Sequence, residues 1–267
     1  HLRHQIEGVT SKRIMAYRGG TLYTQKMAHR YGHAASAACA LCGQRDGATH
    51  VLLECGHRQV KAMQIERHNA AARLILKAIC KGPHGGALIW ADVGTEDAVA
   101  AATGGSARLM GSRLPDWLLP PTLPEETRRK LRPDILLLQT DDPILDGTGR
   151  PDLSNAAAHI IEVGYCSDAG AVEKREEKRQ QHAQLARLLG ETCKTVRTYA
   201  VPLGVMGMVY KWNTTGGGED SLTDFIERAA MERLVNKLHD HAARSSSNIY
   251  AAHRRLTHEK LALGRPP

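Results

Sequence analysis

The chain has 267 residues and a formal net charge of +8. That length can bury a sizeable core, which excludes a small domain that depends on disulfides, and the basic balance favours a polyanionic partner, since Lys and Arg neutralise phosphates and release counterions. No apolar run of ~18 residues and no signal-peptide core occurs, so a soluble intracellular chain without a membrane partner is expected.

The chain opens on His1 rather than Met, which predicts a piece of a longer polypeptide. Residues 1–35 lack clear periodicity. Arg3, Lys12, Arg13, Arg18, Lys26 and Arg30 alternate there with Tyr17, Tyr23 and Tyr31. Such interleaving suits an arm that follows a nucleic-acid backbone, with a solvated extension as the plain alternative. A Cys/His cluster fills 36–58. An apolar stripe of helical period then predicts a helix from Val60 to Cys80, closed by Pro83, Gly85 and Gly86. Residues 87–122 read as a loop-rich connector with one short helix near Glu96–Ala102. Pro124 to Leu131 predicts a short helix with Pro and acids at its start. Asp134–Gln139 reads as a buried strand, Thr140–Asn155 as a long loop, and Ala157–Val163 as a second strand. A charged helix is expected from about Gly170 to Leu189, a third strand over Thr195–Pro202, and a last helix from Ser221 to Ala243. The Ser-, Arg- and His-rich tail at 244–267 reads as partly helical or disordered. This alternation predicts an α/β domain over 59–243, built on a central sheet.

Three of the six cysteines cluster near a histidine: Cys39-x2-Cys42-x7-His50-x4-Cys55. A Cys-x2-Cys pair can grip one tetrahedral ion from a tight turn, which Gly43 permits. Thiolate and imidazole together favour Zn²⁺, and four protein ligands predict a closed structural site. His57 is a substitute for Cys55, two residues away. Unrelated thiols are the bland alternative.

A second constellation is acidic. Arg132-Pro133-Asp134 opens the first strand, Glu162 ends the second, and Lys174 and Lys178 lie on the following helix. Two carboxylates at adjacent strand ends can share Mg²⁺ through hard oxygen ligands. Such an ion polarises a scissile phosphate, and a nearby lysine stabilises developing charge. In the PD-(D/E)xK pattern the lysine follows the second acid by two residues. Gly164 stands there instead, so a helix lysine has to take that place. Lys174 and Lys178 are one turn apart and share a face. Lys178 is preferred.

The ordered set Cys39/Cys42/His50/Cys55, Arg67-His68-Asn69, Arg132-Pro133-Asp134, Ile161-Glu162-Val163, Lys178 and Val201–Gly207 resembles the restriction-like endonuclease end of site-specific non-LTR retrotransposon proteins. The resemblance runs from about residue 20 to 240. It implies a restriction-endonuclease-like α/β fold, a central mixed sheet flanked by helices and preceded by a small zinc knuckle. It further implies a nuclear, Mg²⁺-dependent enzyme that nicks one strand of double-stranded DNA, so that the freed 3′-hydroxyl primes reverse transcription of element RNA. A reverse transcriptase domain would lie upstream, and residues 1–35 would end the linker behind it. Lys26, Arg30, Arg67, His68 and Arg132 would contact nucleic acid, with a buttress for the acidic site as the alternative role of Arg67 and His68. Two departures stand out. The gap between Asp134 and Glu162 exceeds the family's common spacing and requires an inserted loop. Its acids Asp141, Asp142, Asp146 and Asp152 compete for the second-acid role. In addition, His182 replaces an aromatic one turn after the helix lysine.

Three other functions fit parts of this pattern: a nucleic-acid clamp without catalysis, a protein-interaction scaffold, and a repair or Holliday-junction nuclease of the same fold.

Overall fold

The computed structural model describes residues 8–82, 87–106, 109–140 and 152–263. The expectations for Arg3, Pro83, Gly85, Gly86, Asp141, Asp142 and Asp146 lie outside these residues.

The N-terminal segment forms two short helices, α1 (Gly8–Arg18) and α2 (Gln25–Arg30), rather than an extended arm. α1 has almost no amphipathic pattern and α2 spans only six residues, so periodicity gave no sign of them. Tertiary bonds hold them instead: Arg13 Nη1 donates to the Ser247 carbonyl at 2.9 Å, and Tyr250 Oη donates to the Tyr23 carbonyl at 2.7 Å. Thr24 caps α2 by accepting the Met27 N–H. A single π-helical turn over His50–Glu54 leads into α3 (Arg58–Cys80), the expected helix, whose buried face carries Val60, Ala71, Ala72, Ile75, Leu76 and Ile79.

The connector at 87–122 contains the short helix expected near Glu96–Ala102 and, beyond expectation, two strands. It holds β1 (Leu88–Ala91), α4 (Glu96–Thr103) and β2 (Leu109–Gly111). Leu88-Ile-Trp-Ala91 is too short to signal a strand among its Ala- and Gly-rich neighbours, yet it pairs antiparallel with the apolar run that follows Asp134. After α5 (Glu125–Lys130) come β3 (Ile135–Gln139) and β4 (Ala157–Cys166). The long charged helix is broken at His182 into α6 (Ala171–Gln181) and α7 (Ala183–Gly190). β5 (Thr195–Gly204) and α8 (Arg228–Leu263) complete the chain. The last helix therefore starts later than expected and continues through the tail, burying Ser246, Ser247, Ile249, Tyr250 and His253.

The five strands among the described residues form one mixed sheet in the order β2-β1-β3-β4-β5. β3 pairs antiparallel with β1 and β4, whereas β2 pairs parallel with β1 and β5 parallel with β4. Helices cover both faces, which is why β3 and β4 are apolar almost throughout. Side chains alternate between two cores. Ile135, Leu137, Ile161 and Val163 pack with residues of α3 and α8. Leu136, Leu138, Ala158 and Ile160 pack with Leu185, Leu188 and Leu189 of α7. Pro202 lies in β5, an edge strand, where the missing N–H interrupts no interior ladder. The architecture is α/β with helices on an open mixed sheet.

Candidate functional site

Asp134 and Glu162 meet where β3 begins and β4 runs on past it. Ile135 pairs with Ile161, so the next step of the antiparallel ladder brings Asp134 beside Glu162. The ladder is replaced there by side chains. The Asp134 N–H donates to Glu162 Oε1 at 2.8 Å, and the Val163 N–H donates to Asp134 Oδ2 at 2.7 Å. Each acid thus satisfies a backbone donor of the other strand, which fixes both carboxylates.

Three basic side chains surround the pair. Lys178 Nζ lies 3.1 Å from Glu162 Oε2. His182 Nε2 lies 3.0 Å from Glu162 Oε1, but off the line a hydrogen bond requires, so both ring nitrogens are buried without a hydrogen-bond partner. From the opposite face, His68 Nε2 lies 3.2 Å from Asp134 Oδ2 and 3.0 Å from the Val163 carbonyl oxygen. Burial disfavours the imidazolium form of His68, but Asp134, Asn69 and the Val163 carbonyl outweigh it and hold its pKa above the ordinary value.

The two lysines differ. Both stems cross Gly164: a Cβ built there would come within 2.9 Å of Lys174 Cδ and 3.3 Å of Lys178 Cε. The ammonium of Lys174 turns to Glu177 on its own helix, at 2.6 Å. Lys178 alone reaches an acid of the pair. Exposed Asp152 accepts the Ser154 N–H at 2.9 Å and has no bond to Glu162.

The carboxylates are hard donors that suit Mg²⁺. They are not equally open. Glu162 has 1% of its side chain exposed and both oxygens engaged, whereas Asp134 has 13% exposed, and its Oδ1 carries none of these bonds.

A second centre lies in the Cys/His loop. Gly43 takes a left-handed φ of 79°, and its N–H donates to the Cys39 carbonyl at 2.8 Å, forming the tight turn between Cys39 and Cys42. The ligand atoms of Cys39, His50, Cys55 and His253 all lie within 4.8 Å of one another, and all four residues are buried. Cys39 Sγ is 3.2 Å from His253 Nε2. This cluster can hold a metal ion. Burial, reinforced by the neighbouring thiols, pushes the Cys55 thiol up to about 12, and burial also raises Cys39. Two buried thiols resist joint ionisation unless a cation compensates them, and that is the condition under which a metal binds. The sequence reading supplied three of these four donors and missed His253. Cys42 stands 3.3 Å from His50 Nε2 but outside the four. His57 precedes α3 and is also outside them.

The expected nucleic-acid contacts separate into three kinds. Arg67 is buried and cannot reach a phosphate: it donates to the Leu52 carbonyl at 2.8 Å and Ser246 Oγ at 2.9 Å, and its guanidinium lies 4.2 Å from the Tyr165 ring centroid. It buttresses the joint between α3, α8 and β4. His68 belongs to the acidic pair. Arg132 is exposed, with its Nε 2.9 Å from Asp92 Oδ2. Lys26 and Arg30 are exposed on α2 and line a groove with Arg45, apart from the acids.

The fold and site define an α/β protein with an acidic pair at a strand junction and a separate thiol–imidazole centre. No protein-family model and no curated protein matches the chain.

Proposed function

We propose that this chain is a Mg²⁺-dependent DNA endonuclease of the PD-(D/E)xK type. The observation that carries the proposal is the passage of Lys178 over Gly164 to Glu162, beside Asp134. A helix lysine then supplies the cation that the usual pattern places on the strand. Asp134 would be the first ligand to a Mg²⁺ ion, through its open oxygen. Glu162 would be the second ligand, through an oxygen that also faces the Asp134 N–H or Lys178. When bound, the ion polarises the scissile phosphate and lowers the pKa of an attacking water. His68 orients Asp134, and Lys178 is placed to stabilise charge on the phosphate as the bond breaks.

The wider reading is a nickase that starts target-primed reverse transcription of a non-LTR retrotransposon in the nucleus. Its partners would be double-stranded DNA, element RNA and an upstream reverse transcriptase domain. The basic balance and the ordered motifs support it. Zn²⁺ would serve as the structural ion of the Cys/His centre, as its donors suit. Supercoiled plasmid with Mg²⁺ tests the activity: the chain should produce open circles, and Asp134→Ala should abolish them. Nicking that survives both Asp134→Ala and Glu162→Ala sinks the assignment. A second reading, a DNA clamp without catalysis, draws on the full engagement of both Glu162 oxygens. It requires salt-dependent binding without cleavage under any divalent metal.

A further inference from the structure

Five donors crowd the Cys/His centre, and a tetrahedral ion takes four. Four come from one short loop, in the order that suggests a self-contained knuckle. The fifth, His253, lies on α8. Its place follows from packing: Ser246, Ser247, Ile249, Tyr250 and His253 form one buried stripe of helical spacing. That stripe is fixed to the N-terminal segment through Arg13 and Tyr23.

Charge separates the alternatives. Zn²⁺ with two thiolates and two neutral imidazoles makes a neutral group. With three thiolates and one imidazole it carries one negative charge, which is costly to bury. Cys39, His50, Cys55 and His253 are all buried and their ligand atoms lie within 4.8 Å of one another, whereas Cys42 is half-exposed and stands outside that set. A set that used Cys42 in place of His253 would also leave His253 Nε2 against Cys39 with no ion to bind.

We propose that a single zinc ion is bound by Cys39, His50, Cys55 and His253, with Cys42 outside its coordination sphere. The ion then joins the loop before α3 to the far end of α8. It is a weld across the molecule and not the core of a separable knuckle. The same helix carries Ser246, the partner of Arg67, so the weld stiffens the support beneath the acidic pair. This inference rests on the thiol–imidazole cluster and stands apart from the nuclease reading.

Cobalt substitution in the full chain tests it, because the thiolate-to-cobalt charge-transfer band grows with the number of bound thiolates. Elemental analysis should find one zinc per chain as purified. The cobalt form should show two-thiolate intensity, unchanged in Cys42→Ser. His253→Cys keeps a ligand at the position and should raise the band by about one-half, from two thiolates to three. Three-thiolate intensity in the unaltered chain that falls in Cys42→Ser and does not respond to His253→Cys overturns the ligand set. Absence of bound metal overturns the zinc assignment itself. Nicking is not read in either case, so failure here is distinguishable from failure of the nuclease proposal.

Discussion

Lys178 reaches the buried carboxylate of Glu162, at 3.1 Å, by crossing the one residue of β4 that has no side chain, Gly164. The glycine is the space through which a helix cation reaches the strand.

Filling that space should matter. Gly164→Ala places a methyl within 2.9 Å of the Lys174 stem and 3.3 Å of the Lys178 stem. Both stems can bend, so the expected loss of stability is modest, about 1 kcal/mol. Nicking should fall further than stability does, since displacing Lys178 frees Glu162. Thermal melts run beside plasmid assays check the pair. Equal, proportionate losses would mean that Lys178 has no part in the reaction.

Breaking the Lys178–Glu162 pair from one side should be costly. Lys178→Met leaves a buried carboxylate without its cation, an effect of about 3–5 kcal/mol where a pair is well buried. The partly exposed lysine reduces that figure. Combining it with Glu162→Gln should recover part of the loss, because a neutral amide needs no cation. Urea unfolding of the four species gives the coupling. Additive losses would show that the two side chains do not interact.

His68 predicts a pH signature. Its folded pKa lies above the ordinary 6.5, so its stabilisation is fully present below that value and is lost as pH rises through the folded pKa. The stability gap between the parent chain and His68→Gln, measured without added divalent metal, should therefore be wider near pH 6 than near pH 9. A gap independent of pH would remove the Asp134 interaction from the account.

Arg67 and the α2 cations should respond in opposite ways. Arg67→Ala removes bonds to Leu52 and Ser246 and the contact with Tyr165, so it should destabilise by roughly 3 kcal/mol. The folded fraction should keep its salt dependence of DNA binding. Lys26→Ala with Arg30→Ala should leave stability within ~0.5 kcal/mol and lower the salt slope if these residues meet phosphates. Fluorescence anisotropy across a salt series separates the two cases.

Truncation after Ala243 should not act as the removal of a loose tail. It deletes Ser246, Ser247, Ile249, Tyr250 and His253, which are buried against α1, α3 and the Cys/His loop. Residues 8–55 should become accessible to protease in the truncated chain, while the full chain resists. Equal resistance would contradict the packing of α8.

Regions with strong local patterns were legible in sequence. The stripe after Val60 gave α3, and the apolar runs after Asp134 and Asn155 gave β3 and the start of β4. Cys39, Cys42, His50 and Cys55 lie close enough in sequence for their chemistry to stand out. β1 was missed because its four residues are strand only through their pairing with β3. The break at His182 was missed because the helical period runs through it, while α6 lies over β4 and β5 and α7 enters the second core.

The sequence by itself determined an α/β chain, two acids bordering apolar strands with lysines on the following helix, and a Cys/His cluster able to hold a metal ion. Each of these follows from residue type and local spacing. Only the tertiary structure decided that Lys178 rather than Lys174 faces Glu162, that Arg67 is a buried buttress, and that His253 joins the cysteines from about 200 residues away. Those choices depend on which helix faces meet across the sheet. Helix pairing is set by the packing of the whole core, which no local window contains.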